Sequence, residues 1–123
     1  MKITIIGAGN MGRGIGHRLV AGGHEVTLVD NSLEAAETLA KELNGVAQKG
    51  GQAEAAALSS VALGDVVILA VGYGANLELG KQLGQKLEGK VVIDIANPLN
   101  ASFDGLATGG TTSSAEELAK VVP

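Results

Sequence analysis

A short glycine segment limits the folds open to this chain more than any other feature. Residues 7–12 read GAGNMG, directly after the β-branched run Lys2–Ile6 and ahead of residues with helical spacing. Gly7 permits a tight turn at the strand end, Gly9 lets the backbone approach a ligand, and Gly12 allows a helix to pack closely on the strand. A strand, a glycine turn and a helix in this order predict a βαβ unit that binds a dinucleotide.

The start of the following helix supplies the second part of this predicted site. The N–H groups of a first helical turn lack partners within the helix and attract anions. Asn10 and Met11 occupy that turn. We therefore expect them, together with the three glycines, to line the pyrophosphate of a nicotinamide dinucleotide, NAD(H) or NADP(H). Gly14 and Gly16, beyond the motif, are interpreted as packing contacts and not as ligands.

Short β-branched runs alternate with stretches of helical spacing along the chain. The predicted strands are Lys2–Ile6, Glu25–Asp30, Val66–Val71 and Lys90–Ala96, with a weaker candidate near Gly45–Gln48. Their near-continuous apolar character requires cover on both faces. We therefore predict a Rossmann-type α/β fold, a doubly wound parallel sheet of about five strands in the order 3-2-1-4-5 within three layers. The pattern lacks the sixth strand of the complete form, so residues 1–123 are expected to be one domain, either naturally short or part of a longer enzyme.

Four helices are predicted from the spacing of apolar residues. The first carries Met11, Ile15 and Leu19; the second carries Leu33, Ala36, Leu39, Ala40 and Leu43 behind a capping pair of Asn31 and Glu34; the third carries Leu79, Leu83 and Leu87; the last carries Ala115, Leu118, Ala119 and Val122 behind a capping box of Ser113 and Glu116. The alanine-rich segment Ala53–Leu58 is predicted as a turn or weak helix. With a single Phe and a single Tyr, the core must be aliphatic.

Composition argues against several classes of function. The formal net charge is −4 and no cluster of Lys and Arg occurs, which disfavours a nucleic-acid or anionic-membrane surface. The chain has no cysteine, which excludes disulfides, thiolate metal sites and a cysteine nucleophile. The N-terminal apolar run meets glycine after six residues, too soon for the core of a signal peptide. A cytoplasmic location is therefore the expectation.

Asp30 completes the glycine fingerprint, because it ends the second predicted strand 23 positions after Gly7. A carboxylate there is expected to bind the adenosine ribose diol, with Asn31 and Ser32 beside it. Since it would repel a 2′-phosphate, it favours NAD(H) over NADP(H), unless Arg13 and Ser32 reach that phosphate. The alternative is that the glycines only pack a helix on a strand and that Asp30 only caps the next helix.

The residues that follow the strands at Val66–Val71 and Lys90–Ala96 are expected near the nicotinamide, because ligands bind beyond the carboxyl ends of parallel strands. These are Val71, Gly72 and Tyr73 after the first of them, and Asn97 and Pro98 after the second. The side chain of Asn97 could bind a carboxamide or an acceptor carbonyl, or belong to a plain asparagine-proline turn. For Tyr73 the alternative is a surface aromatic. No catalytic acid and base pair and no metal-ligand cluster is predicted.

Four segments in order resemble the N-terminal domain of the NADP oxidoreductases that depend on a deazaflavin coenzyme, a group near pyrroline-carboxylate reductases. They read ITIIGAGNMGRGIGHRLVAGGHEV, GDVVILAVGY, GKVVIDIANPLN and FDGLATGGTTSSAEELAKVVP. The resemblance implies hydride exchange between a nicotinamide cofactor and a flavin-like acceptor, and a homodimer completed by a further helical part. Relatives commonly have Pro in place of Gly72, and NADP-binding members commonly have Ser, Thr or Arg in place of Asp30 and Asn31.

A non-enzymatic nucleotide-sensing or binding module is the alternative function. The regulatory domains that gate potassium transport share a similar length, glycine loop and terminal acid. They normally show a Gly-Asp pair after the third strand, whereas this chain has Gly50 and Gly51.

Overall fold

Strands and helices alternate along the chain, as the sequence pattern predicts. The computed structural model describes residues 1–95 and 114–120, without the side chains of residues 73, 74, 114, 115 and 117. The strands are β1 (Lys2–Ile6), β2 (Glu25–Val29), β3 (Gln52–Ala56), β4 (Val66–Leu69) and β5 (Val91–Asp94). The helices are α1 (Asn10–Ala21), α2 (Leu33–Asn44), α3 (Tyr73–Leu83) and α4 (Ser114–Ala119), with a 3₁₀ turn at Gly84–Leu87 after α3.

The five strands form one parallel sheet in the order β3-β2-β1-β4-β5. This confirms the predicted fold class and strand order. The chain moves outward in one direction from β1 to β3, then crosses back to β4 on the other side of β1. Ile6 is paired with Val29 and with Leu69, so the segments that follow β1, β2 and β4 leave the sheet at the same edge. Such a reversal point is where open α/β sheets bind ligands.

Aliphatic side chains fill both sides of the sheet at β1, β2 and β4, which confirms the three-layer arrangement, whereas Val91 and Ile93 of the edge strand β5 are exposed. Alternate strand residues such as Ile5 and Leu28 are buried with α1 and α2 on one side. Their neighbours, among them Val29 and Leu69, are buried with α3 and α4 on the other. At roughly 25 cal/mol per Å² of buried apolar area, these two layers supply the main stabilisation of the sheet.

The position of β3 corrects two predictions. Residues 45–48 form no strand, and the alanine-rich segment predicted as a turn or weak helix is the edge strand itself. Alanine favours helix locally, but pairing with β2 overrides that preference. The side chain of Asn44, at the end of α2, also holds β3: its amide donates to Ala53 O at 2.9 Å, and its oxygen accepts from Ala53 N at 2.8 Å.

The buried face of α1 differs from the apolar residues that predicted the helix. Met11 is 61% exposed. The buried positions are Gly12, Gly16 and Val20, one residue further along. Glycines on this face allow α1 to lie close to its neighbours, while Ile15 and Leu19 are partly buried beside them.

The cap of α2 also lies one residue later than predicted. The Ser32 hydroxyl accepts a hydrogen bond from Ala35 N at 3.1 Å, so Ser32, not Asn31, caps the helix. In α4, Leu118 is buried as its spacing predicts, whereas Ala119 is exposed. Ser113 of the predicted capping box lies outside the described residues.

Candidate functional site

The loop from β1 to α1 is held tightly by backbone contacts at Gly7. The Gly7 N–H donates to Val29 O at 2.7 Å, and the residue has a φ of +117°, which L side chains rarely adopt. A Cβ built there would also collide with the carbonyl oxygen of Ala70, at the end of β4. Only glycine fits this turn, which joins the ends of three strands.

Gly12 lies against the protein and Gly9 faces open space, which confirms the packing role predicted for Gly12 and leaves the ligand role of Gly9 a prediction. A Cβ on Gly12 would fall on the carbonyl oxygen of Gly7, well inside the 3.0 Å that real Cβ atoms keep. Gly9 instead has ordinary extended backbone, with φ −84° and ψ −164°, and a Cβ there would meet nothing within 4 Å. Packing therefore requires glycine at position 12, whereas Gly9 leaves the outer side of the loop open.

The two glycines beyond the motif also differ: Gly16 is packed against a neighbouring helix, and Gly14 faces open space. A Cβ on Gly16 would press on the Leu43 side chain at 2.7 Å, which confirms the predicted packing contact between α1 and α2. For Gly14 that prediction is wrong: the residue is exposed and a Cβ would find open space.

The start of α1 presents backbone N–H groups beside this open loop. The first hydrogen bond of the helix runs from Arg13 N to Gly9 O at 2.9 Å, so the amides of Asn10, Met11 and Gly12 precede the helical ladder. Within α1 the first turn carries no acidic residue, and the cap has no side chain to occupy these donors. The helix dipole adds partial positive charge at the same point. The arrangement suits a bound phosphate group.

Asp30 connects two loops at the carboxyl edge of the sheet. Its Oδ2 accepts from Ala8 N at 2.7 Å in the glycine loop, and its Oδ1 accepts from Ser32 N at 3.0 Å. The half-buried carboxylate is thus fixed by two backbone donors. The alternative that Asp30 only caps the next helix is wrong, because Ser32 provides that cap. Each oxygen keeps a further acceptor site for a ligand hydroxyl.

Two grooves extend from Asp30 across the carboxyl edge. The inner groove, of about 310 Å³, is lined by Ile6, Gly7, Asp30, Asn31, Leu58, Val71, Ala75, Glu78, Leu79 and Gln82. The outer groove, of about 520 Å³, is lined by Asp30, Asn31, Leu33, Ala57, Leu58, Ser59, Gln82, Leu83 and Lys86. Both combine an apolar lining with a few polar groups, as small-molecule sites do. Sequence reasoning missed Leu58 and Gln82, which line both grooves. Leu58 was missed because β3 was misplaced, whereas Gln82 is a polar residue of α3 without a motif around it.

The residues after β4 lie beside the glycine loop, and their predicted contact with the nicotinamide stays a prediction. Val71 Cγ1 would be 3.1 Å from a Cβ on Gly7, and Val71 lines the inner groove. Gly72 is exposed and precedes α3 with open space where a side chain would stand. The Tyr73 side chain, Asn97 and Pro98 lie outside the described residues, so their predicted contacts stay predictions.

A buried polar pair near these loops was also missed from the sequence. Asn76, in the first turns of α3, has no exposed surface, and its Nδ2 donates to Asp94 Oδ1 at the end of β5. The Asn76 Oδ1 accepts from no group in the described part of the chain. The pair links α3 to the strand that precedes Asn97. An isolated asparagine inside a helical pattern gives no signal of such a contact.

A charge cluster flanks the glycine loop on its other side. Arg13 Nε lies 2.5 Å from Glu42 Oε2, and His17 Nε2 lies 2.6 Å from the same oxygen. The hydrogen bond from Arg13 and then that with His17 lower the pKa of the Glu42 carboxyl from 4.5 to about 2, while burial opposes them. Glu42 raises the pKa of Arg13 in return. Arg13 is therefore ion-paired with α2 through its Nε, and a ligand anion would share its guanidinium with Glu42.

We expect Glu42→Gln to lower the melting temperature slightly at neutral pH, because it removes the ionic partner of Arg13. The pKa of Glu42 is lower in the folded protein than its ordinary value, so its stabilisation is present above pH 4.5 and is lost as the pH falls toward 2. The effect is small since the two side chains are 57% and 37% exposed. Thermal unfolding of both proteins between pH 7 and pH 3 tests this, with Glu37→Gln as control. A difference that stays constant across that range would contradict it.

None of the helices within residues 1–95 and 114–120 is long and apolar enough to span a membrane.

Comparison of the sequence with known proteins identifies the family of this chain. Residues 2–98 match the family model described as NADP oxidoreductase, coenzyme F420-dependent. The chain belongs to this family. It is 36% identical over 104 residues to the F420-dependent NADP reductase of Methanocaldococcus jannaschii, a match that covers 80% of the chain and 46% of the reductase. The chain thus spans about half the length of the curated relatives it matches, and it forms the NAD(P)-binding domain of this family.

Solved structures agree on the fold. A hypothetical protein from Sinorhizobium meliloti superposes with a TM-score of 0.78 at 24% identity, covering 100% of this chain and 57% of that one. The lactate dehydrogenase of Eimeria maxima, solved with NADH and oxamate, gives 0.72 at 18% identity over 99% of this chain and 40% of that one. At these identities the likeness shows the Rossmann-type fold alone.

The contrast with regulatory domains needs correction. Gly50 and Gly51 precede β3, since that strand is Gln52–Ala56, so they do not occupy the position after the third strand. The residues that follow β3 are Ala57 and Leu58, which are not a Gly-Asp pair either. The sequence difference therefore remains, but at another place in the chain.

Proposed function

We propose that this chain is the cofactor-binding part of an oxidoreductase that transfers hydride between a nicotinamide dinucleotide and a deazaflavin or flavin-like acceptor. Family membership supports this reaction, since the family description names both NADP and coenzyme F420. A bound nicotinamide would supply or accept the hydride. The protein's contribution is then to bind and orient the cofactor, so no acid and base pair is required.

The observation that carries the proposal is the open backbone cradle at Gly9. The loop is rigid where it touches the protein, at Gly7 and Gly12, and open where a ligand would lie. The backbone amides of Asn10 and Met11 are available to an anionic ligand, because the first turn of α1 contains no carboxylate that would compete for them. A pyrophosphate fits these donors by charge and by space.

The remaining site residues extend this cradle in two directions. Asp30, with Asn31 and Ser32, would hold the adenosine ribose at the end of β2. Val71 and Gly72, at the end of β4, would border the nicotinamide, where Gly72 leaves room for a second ring. Tyr73 follows β4 in the sequence, and Asn97 and Pro98 follow β5, so the proposal includes them near the nicotinamide. In this arrangement the chain positions one ring, and the acceptor lies over its open face.

The acceptor and a homodimer are part of the same proposal. The reductase from Methanocaldococcus jannaschii is named for coenzyme F420 and NADP. A flavin-like acceptor has a planar ring that can stack on a nicotinamide without covalent attachment to the protein. A second subunit would complete the acceptor's surroundings.

Anaerobic spectroscopy tests the function directly. Purified chain is mixed with NADH or NADPH and oxidised coenzyme F420, with FMN in a parallel assay, and the absorbance of both partners is followed. We expect equal loss of reduced nicotinamide and of oxidised acceptor, dependent on the chain. Gly9→Ala should lower this activity at sub-saturating cofactor, because it weakens cofactor binding, while the protein remains folded. Cofactor binding without any hydride transfer would contradict the enzymatic proposal and favour the regulatory alternative.

A further inference from the structure

We propose that this domain selects NAD(H) over NADP(H), against the cofactor named for its family, and that Glu42 contributes to the choice. The inference depends on the proposed cofactor site, since it concerns the adenosine end of the same ligand. The difference between the two cofactors is one phosphate on the adenosine 2′-oxygen. The charges around that position therefore decide the preference.

The carboxylate of Asp30 is the first reason. It is held by Ala8 N and Ser32 N, and so it stays at the end of β2 as a fixed anion. Its free acceptor sites suit the two hydroxyls of an unmodified ribose. A 2′-phosphate, which carries about −1.5 to −2 charges at neutral pH, would meet this carboxylate at close range and be repelled.

In the described part of the chain, the side groove at Ser32, two residues after Asp30, offers only one ion-paired cation to offset that repulsion, and Lys86 lies in the separate outer groove. This side groove, of about 410 Å³, is lined by Ala8, Arg13, Ser32, Glu34, Ala35, Thr38, Leu39 and Glu42. Among these described lining residues Arg13 carries the one positive charge, against the two negative charges of Glu34 and Glu42. A phosphate here would enter a region of net negative charge.

Glu42 already neutralises that one cation through the Nε of Arg13. Its carboxylate lies 2.5 Å from Arg13 Nε and also binds His17, and its lowered pKa keeps it ionised throughout the neutral range. A 2′-phosphate would have to compete with Glu42 for the guanidinium. Glu42 is thus a specificity determinant that acts through Arg13, although it lies 29 residues after Arg13 in the sequence and on a different helix.

The test uses ligands that differ only in the group concerned. ADP-ribose and 2′-phospho-ADP-ribose lack the nicotinamide, so their binding reports the adenosine end alone. Calorimetric titration at fixed salt should show ADP-ribose binding about tenfold tighter or more, since one close like-charge contact commonly costs that much. Equal or tighter binding of the 2′-phosphorylated ligand would overturn the inference while leaving the proposed function in place.

Variants separate the contributions of the two acids. Glu42→Gln should tighten binding of the 2′-phosphorylated ligand about three- to fivefold, the scale of an exposed ion pair, and leave ADP-ribose unchanged. Glu37→Gln makes the same charge change on an exposed position of α2 outside the groove and should change neither affinity. Equal shifts in both variants would overturn the role of Glu42, because they would reflect net charge alone.

Asp30→Asn tests the contribution of the Asp30 carboxylate independently of Glu42. It should weaken ADP-ribose about tenfold and erase the preference, because the ribose acceptor and the repelling charge are lost together. Unfolding curves show whether the Asp30→Asn protein remains folded. If it does not, the Glu42→Gln variant still tests the cofactor preference. Failure of the folded wild-type chain to bind either ligand would overturn the cofactor site itself, and with it both proposals.

Discussion

Gly12→Ala is expected to destabilise the protein by roughly 2–4 kcal/mol, a large part of the stability of a domain of this size. The added methyl would fall on the carbonyl oxygen of Gly7. Neither group can yield easily, since one is on a helix and the other is backbone in a turn with φ +117°. Thermal and urea unfolding should show a melting temperature lower by about 10 °C.

Gly14→Ala is the matched control. It places the same methyl in the same helix two residues away, where a Cβ meets nothing within 4 Å. Because alanine is the better helix former, this variant should be unchanged or more stable by about 0.5–1 kcal/mol. If the two variants lost similar stability, the close approach of α1 to the glycine turn would be wrong.

In contrast to Gly12→Ala, Gly9→Ala should weaken cofactor binding and retain the stability of the protein. The residue has ordinary extended backbone and open space in the protein alone, so an alanine folds without strain. In the complex the methyl would stand where the pyrophosphate approaches the loop. Overpacking of that kind costs roughly 1–3 kcal/mol, which corresponds to an affinity for NADH lower by about 5- to 150-fold.

The measurement pairs calorimetry with unfolding curves for Gly9→Ala and Gly14→Ala. Both proteins should melt close to the wild type, and only Gly9→Ala should lose affinity. Undiminished NADH binding by Gly9→Ala would show that the phosphate groups lie elsewhere.

The sequence predicted the centre of the sheet better than its edge. β1 was placed without error because continuous β-branched residues and a glycine turn point to the same structure. β3 was missed because QAEAA has the residue types of a helix or turn. Its strand conformation comes from pairing with β2 and from the two hydrogen bonds of Asn44, which connect residues distant in sequence.

A similar limit applies to the candidate site. Gly7, Gly9, Gly12 and Asp30 were identified from spacing alone, and the structure brings them together at one edge of the sheet. The bond from Ala8 N to Asp30 was not predictable, since only the fold shows that this acid supports the glycine loop as well as facing a groove. The engagement of Arg13 by Glu42 depends on how α1 packs on α2. The spacing of apolar residues predicted a buried face of α1 that is shifted by one residue from the observed one.

The central claim is that this chain binds a nicotinamide dinucleotide on the loop between β1 and α1. Calorimetric titration of the purified chain with NADH at fixed salt tests it most directly. We predict saturable binding at one site per chain, accompanied by a rise in melting temperature. A folded sample that gives no binding heat and no thermal shift would contradict the claim.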